Sequence, residues 1–471
     1  MSTAVTEPKP DPIVEYFRGF AVLRETRMEY WAIQLINFLD HTAYFALYGI
    51  VVVLLSDDFG LSDVNAGYVF TAFTLTVTAS LWVSGFFTDW LGIRKAIILA
   101  MVASLGLRAL VVWAALTPAL PYRVPLACAA IIGMAPFMAM TATIFQAANR
   151  RFTTGKSRGA GFNLWYLFMN VGAFCGGVLI DLVRRDLGLP NAYILAFGLG
   201  SAVVCTLAAI VLIRREDQLY GEGEAAAEPA KAAEKRNPLQ IAMAVAQEPV
   251  FWRFLVLITL LLGVRAVFLY LHLLCPKYWL RVIGPDAPIG WLQAVNPLLV
   301  VIGLMLVIPV LTRFSVYSML TYGALVSSLS LFVLAIPGHG QDALWLSYGF
   351  LLVLTIGEIV WSPRLTEYTA AIAPKGQEGT YLGLSMVPWF GAKTIVAAAS
   401  GHLLNRWVPQ TEEGQTPLLE RLAAGEVAYW DSPAAMWLVL GVITLVGPLI
   451  AIALRGFFTK GAHFEKHANA H

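Results

Sequence analysis

The sequence predicts an all-α membrane protein of about twelve spanning helices, on three observations. Hydrophobic residues make up 58% of the 471-residue chain and charged residues only 13%, about half the charged share of a soluble globular protein. Uninterrupted apolar runs of roughly 20 residues, the length that crosses a bilayer, recur along almost the whole chain. A charged, alanine-rich stretch beginning RREDQLYGEGEAAAEPAKAAEKR at residue 214 divides those runs six and six. The runs are continuous and lack the ten-residue alternation of membrane strands, so helices win over a closed barrel.

Hydropathy places the spans near 28–55, 62–88, 94–117, 124–148, 159–183, 191–213, 251–276, 288–311, 316–337, 343–363, 380–405 and 433–455. The chain therefore divides into an N-terminal segment (1–27), a first set of helices (28–213), a linker (214–250), a second set (251–455) and a tail (456–471). Residues 408–432 form a polar, acidic insertion before the last span. The opening residues MSTAVTEPKPDPIVEYF lack the basic and apolar regions of a cleavable signal, so the first span is expected to direct insertion itself. Residues 237–252 read as a short amphipathic helix on the inner surface or as a plain linker helix.

Orientation follows from the lysines and arginines of short loops. Arg94 and Lys95, then Arg150, Arg151, Lys156 and Arg158, then Arg214, Arg215, Lys231, Lys235 and Arg236, and finally Arg455 and Lys460 fall on one side. Asp57, Asp58, Asp63, Glu412 and Glu413 fall on the other, with Arg184 and Arg185 as exceptions. Both termini are thus expected in the cytoplasm, with the protein in the plasma membrane (a bacterial inner membrane) and the 408–432 insertion outside it. Cys128, Cys175, Cys205 and Cys275 all lie in apolar segments without metal-like spacing and read as reduced packing residues.

Between the second and third spans the chain reads GFFTDWLGIRKAI, in which Gly85, Asp89, Gly92, Arg94 and Lys95 fit G-x-x-x-D-x-x-G-x-R-K. The glycines suit a tight turn, and Asp89 can cap a helix end and meet a cation of a neighbouring helix. Such a clasp can hold two halves together in one conformation and release them in the next. This loop resembles the signature of the major facilitator superfamily. The resemblance implies two six-helix bundles around a central cavity that opens alternately to each side.

Three further stretches resemble the proton-coupled oligopeptide transporter family within it. GFNLWYLFMNVGAFCGG carries Tyr166, Asn170 and Gly172, WLQAVNPLLVV carries Asn296 and Pro297, and GEIVWSPRLTEYTAAIAPKGQEGTYLGL carries Gly357, Glu358, Ser362, Pro363, Ala373, Pro374 and Gly383. The chain also departs from that family. Its first span ends DHTAYFALYG, so Asp40 stands for the first acid of the E-x-x-E-R motif while Ala43 and Tyr44 replace Glu-Arg. The fourth span holds no lysine, and Ser385 stands where a tryptophan is usual, with Trp389 a turn later. The residues that couple protons in the family are therefore altered.

Ionisable side chains within the spans cost about 2.5–3.5 kcal/mol each at a helix centre, so they face a cavity or one another. Here they are Asp40, His41, Arg108, Arg265, His272, Glu358, Lys393 and His402. Gln34, Asn37, Asp40, His41, Tyr44 and Tyr48 recur at three-to-four spacing on one broad face of the first span, which the resemblance turns toward the cavity. Asp40 and Arg265 both lie near mid-depth, and an Asp40–Arg265 pair across the bundles would form a proton-sensitive gate; the alternative for Asp40 is a static ion pair. His41 is a proton-transfer residue or a hydrogen-bonded packing residue.

The resemblance makes Glu358 the leading substrate-binding and coupling residue, as the group that binds a peptide's amino terminus. Asn170 and Asn296 either contact a peptide backbone or join helices, and Tyr44 and Tyr48 line the same face. Lys393 and Arg108 either hold a substrate carboxylate or balance Glu358 and Asp40. Gly172 and Gly176, four apart, read as close helix packing.

The expected function is secondary active transport of a small polar or zwitterionic solute, such as a di- or tripeptide, together with protons. The alternatives are a carrier for small organic anions, with Arg265, Arg108 and Lys393 as the cradle, and a non-transporting membrane sensor on the same scaffold. No H-E-x-x-H, phosphate-cradling loop or nucleophile elbow occurs, so neither an enzyme nor direct ATP drive is expected. No cofactor, metal or nucleic acid is implied. The expected partners are the solute, protons and the lipid bilayer, and the chain is expected to work as a monomer.

Overall fold

The computed structural model describes residues 19–217, 247, 249–311, 314–372 and 378–459. The 237–252 reading, most of the linker, Ala373, Pro374 and most of the tail therefore lie outside the described residues. The first half comprises α1 (Met28–Val53), α2 (Asp63–Leu116), α3 (Arg123–Arg151), α4 (Arg158–Asp181) and α5 (Ala192–Leu212). The second comprises α6 (Pro249–Leu260), α7 (Leu262–Leu273), α8 (Cys275–Val282), α9 (Ile289–Leu311), α10 (Val316–Leu334), α11 (Gly340–Ile372), α12 (Glu378–Trp407), the short α13 (Leu418–Ala423), α14 (Pro433–Ala453) and α15 (Arg455–Thr459).

Ten helical segments among the described residues are long and apolar enough to cross a membrane. Helices α9 and α12 stand where the eighth and eleventh spans are expected. Such an all-helical body satisfies its own backbone, as a lipid solvent requires. The protein is an all-α membrane protein.

Local chemistry sets the breaks. Ser62 caps α2, its hydroxyl oxygen accepting from the Asn65 amide at 3.2 Å, and Ser315 caps α10 in the same way. Helix α2 carries the second and third spans, and the chain reverses between them at Gly92, whose φ of 77° suits only a residue without Cβ. The turn falls on that glycine alone. Gly85, expected to share it, remains helical with open space around its Cα.

In the first half α1 packs on α4 and α5, and α2 on α3 and α5. In the second, α10 packs on α11 and α14, and α7 on α12 and α14. As expected, Gly172 and Gly176 let α4 press on α1: a Cβ on Gly172 would stand 2.9 Å from the Phe38 carbonyl. Among the described residues the halves meet most extensively along two joints, α4 with α9 and α2 with α12, and α1 also touches α7, α8 and α9.

The apolar cores show where the halves part. One core is continuous across both, running from Ile50 and Ile180 to Trp279, Leu292 and Trp437. A second core, with Tyr30, Ile97, Phe145 and Phe152, belongs to the first half alone, and a third, with Phe254, Leu257, Tyr317 and Trp361, to the second half alone. Among the described residues the halves thus share a core at one end and keep separate cores at the other. The 408–432 insertion folds over the shared end: Trp407 donates to the Trp430 carbonyl at 3.0 Å, Arg406 pairs with Asp431 at 2.6 Å and Leu418 is buried.

Candidate functional site

Where the shared core gives out, a set of polar side chains from both halves converges. Asn296 of α9 donates through Nδ2 to Glu358 Oε2 and to Thr355 Oγ1 of α11, each at 2.9 Å. Thr355 and Glu358 are three apart and so share a helix face. Arg265, near the start of α7, lies with its guanidinium 5.3 Å over the Trp361 ring. That ring is itself fixed, because Trp361 Nε1 donates to Ser327 Oγ at 3.1 Å. Arg265 is within Coulombic reach of Glu358 and of Lys393 on α12.

The first half contributes aromatic and amide groups. Tyr166 of α4 lies within Coulombic reach of Glu358, and its backbone carbonyl accepts from Asn170 Nδ2 at 2.9 Å. Tyr44 stacks on Tyr48 with ring centroids 5.3 Å apart, and Tyr48 meets His272 of α7 at 4.7 Å. His272 Nδ1 lies 2.9 Å from the Phe268 carbonyl. A carbonyl only accepts, so Nδ1 carries a hydrogen. Among the described residues a carboxylate, two cations, amides and aromatic rings thus stand together, with groups from both halves. Such a set can hold both charges of a small zwitterion and the apolar body between them.

The shared end is latched by charge as well as by apolar contact. Lys277 of α8, almost wholly buried, pairs with Asp57 and lies 3.7 Å from Asp63. Arg281, one turn on, makes a forked contact with Asp63 at 2.6 and 3.1 Å and donates to the Val408 carbonyl at 2.6 Å. Gln293 Nε2 donates to the Gly49 carbonyl at 2.9 Å, and Tyr68 meets His402 at 3.0 Å. Each of these joins one half to the other, apart from the Arg281–Val408 bond. Burial, helped by the Arg281 charge, pulls the Lys277 ammonium below the usual lysine value, while Asp57 and Asp63 pull it back up.

The Major Facilitator Superfamily signature matches residues 33–398, well over half of the chain. The chain belongs to that superfamily. No curated protein sequence matches it. Among solved structures it is similar to a mutant of the peptide transporter POT in complex with alafosfalin, at 14% identity and a TM-score of 0.69, over 92% of this chain and 95% of that one. It is similar to the POT family transporter PepTSo at 14% identity and a TM-score of 0.69, over 93% and 99%. It is also similar to a bacterial homologue of the human drug peptide transporters PepT1 and PepT2, at 16% identity and a TM-score of 0.66, over 92% and 99%. At these identities the likeness establishes the fold: two bundles of the major facilitator kind. The protein is an integral membrane transporter and not an enzyme.

For this superfamily member the structure bears on three expectations. In this conformation Asp40 does not meet Arg265: it pairs with Arg108 at 2.7 Å, and Arg108 also donates to the Gly198 carbonyl at 3.0 Å. All three groups belong to the first bundle, as in the static alternative. The polar stripe of α1 does not face the cavity along its length. Gln34 donates to Asn149 at 2.9 Å and Asn37 to the Trp165 carbonyl at 3.1 Å, so both bind helices of their own bundle. The reason is depth and not rotation, since Asn37 and Tyr48 lie within about 20° of one another round α1 but about 16 Å apart along it, and the neighbouring helix changes over that length. His41 packs beside Phe45 and Phe145, with its Nδ1 2.8 Å from the Asn37 carbonyl, the packing alternative.

The loop motif is described only in part. Arg94 donates to the Ile213 carbonyl at 2.7 Å and to the Ile210 carbonyl at 3.4 Å, closing the C-terminus of α5. Among the described residues this contact stays within the first bundle, and the clasp expected of Asp89 falls on a side chain outside them. Lys95 is exposed. Sequence reasoning missed Asp181, Lys277, Arg281 and Gln293 and left Asp57 and Asp63 as ordinary loop charges. A signal existed: Lys277 and Arg281 sit four apart in LLCPKYWLRV, two cations on one face of an otherwise apolar helix.

Proposed function

We propose that this transporter moves a small zwitterionic solute, a di- or tripeptide being the leading candidate, together with protons by alternating access. The observation that carries the reading is the hydrogen-bonded Glu358–Asn296 pair beside Arg265 and Lys393, with Tyr166 of the first bundle within Coulombic reach of Glu358. Glu358 would receive the ammonium group, and Arg265 with Lys393 the carboxylate. A proton arriving on Glu358 would release its hold on a cation, which links proton entry to solute release. With both termini in the cytoplasm, as the loop charges imply, the latched end faces outward and the conformation is open toward the cytoplasm.

Two cations against one carboxylate also favour a second reading, a carrier for small organic anions. Uptake into proteoliposomes under an imposed pH gradient, with peptide and organic-anion panels, separates the two. Peptide uptake driven by an acid outside and abolished by Glu358→Gln supports the first. Anion uptake that survives Glu358→Gln but fails in Arg265→Gln supports the second.

A further inference from the structure

The joint between α4 and α9 is closed by a group that the reading above does not use. Gly177 and Gly290 meet backbone to backbone, and a Cβ on Gly177 would stand 2.5 Å from the Gly290 carbonyl oxygen. One turn beyond Gly177, Asp181 is buried and spends both carboxylate oxygens on α9. Its Oδ1 accepts from the Gly290 amide at 2.9 Å and its Oδ2 from the Trp291 amide at 2.8 Å.

Those two amides belong to the first turn of α9, where a helix has no acceptor of its own. A helix start is usually capped by the side chain just before it. Here that residue is Pro288, whose carbonyl takes the first intrahelical bond from Leu292 at 2.9 Å and whose ring offers no acceptor. The cap comes instead from the opposite bundle, 109 residues away in the chain. Negative charge at a helix N-terminus is also favoured by the helix dipole. Six residues further along α9, about 9 Å at 1.5 Å per residue, Asn296 holds Glu358. One rigid helix therefore carries both the capped end and the amide that grips the central carboxylate.

We propose that Asp181 is a positioning residue for transport: it caps α9 across the bundles, shuts this face, and sets Asn296 against Glu358. Opening the face then requires the carboxylate and both amides to exchange one another for water. The proposal rests on alternating access but not on any particular solute.

The test places spin labels at Leu187→Cys and Gln341→Cys, exposed positions on the two bundles at this end, with Cys128, Cys175, Cys205 and Cys275 replaced by alanine. Distances are measured by pulsed electron resonance in nanodiscs without solute. The parent gives one short-distance population. Asp181→Leu, which removes both acceptors, raises the long-distance population about tenfold or more, the factor that losing a charged hydrogen bond implies. Asp181→Asn keeps the size and one acceptor and gives a smaller rise of the same sign. Equal distributions in the parent and either variant overturn the proposal, so it stays testable through Asp181→Asn if Asp181→Leu fails to fold. Because no solute is present, a failed peptide-uptake assay leaves this result standing, and a null result here leaves the uptake assay standing.

Discussion

Asp63→Asn is expected to loosen the latched face while leaving both bundles folded. Asp63 is buried, holds Arg281 through two hydrogen bonds at 2.6 and 3.1 Å, and lies 3.7 Å from the Lys277 ammonium. Removing one partner of a buried pair costs about 3–5 kcal/mol when nothing replaces it. Here part is recovered: Arg281 keeps the Val408 carbonyl and Lys277 keeps Asp57. An asparagine oxygen also still accepts. About 2 kcal/mol is then lost from the closed face alone, because in the open state water solvates these groups, and 2 kcal/mol is about 30-fold in the closed-to-open ratio. Ser400→Cys reports it, in a background lacking the four native cysteines. Ser400 is 1% exposed, and its Oγ would lie 3.1 Å from a Cβ on Gly67 of the other bundle. Maleimide labelling at this position should accelerate about 30-fold with Asp63→Asn. Asp342→Asn, an exposed acid at the same end, should leave the rate unchanged. Labelling within about twofold of the parent would refute the argument, because a shift that small is worth under 0.5 kcal/mol.

Other outcomes follow from the same geometry. Glu358→Gln should abolish uptake driven by a pH gradient and flatten its pH profile while leaving solute exchange measurable in counterflow; retained gradient-driven uptake would remove Glu358 from coupling. Asp40→Asn should leave the Arg108 guanidinium, whose side chain is 10% exposed, with only neutral acceptors, the Gly198 carbonyl among them, and lower stability by about 2 kcal/mol, read as a reduced melting temperature. Asp40→Asn combined with Arg108→Leu should recover much of that loss, and a double variant no better than the single would argue against an isolated pair. Gly92→Ala should destabilise by about 1–3 kcal/mol, since φ is 77° and ψ 161° there and the Glu216 carboxylate occupies the space of a Cβ. An unchanged melting temperature would show that this turn relaxes freely.

Much of the site was legible because charge is scarce inside a membrane. Glu358, Arg265 and Lys393 stand out against apolar neighbours, and the cost of idle charge there says that they meet something. Asn170 and Asn296 drew notice by likeness to a family pattern, and the structure brings Asn296 and Glu358 into direct contact. Partnership was less legible. From the sequence Asp40 is expected to meet Arg265 or to sit in a static ion pair, and the rotation of α1 against α2 sets it against Arg108. The latch was least legible, since Asp57, Asp63, Lys277 and Arg281 read singly as loop charges or helix ends.

The amino-acid sequence by itself determined the lipid solvent, the helical answer to it, the division into two sets and the turn at Gly92. Each follows from local composition, hydrophobic run length or the conformational freedom of one residue. Tertiary structure alone decided that Asp40 turns inward within its bundle, that Arg281 meets an aspartate 218 residues away, and that Asp181 caps a helix of the opposite bundle. Such contacts depend on how helices rotate and where distant chain segments dock, and residues about 20° apart round a helix meet different neighbours when they lie at different depths.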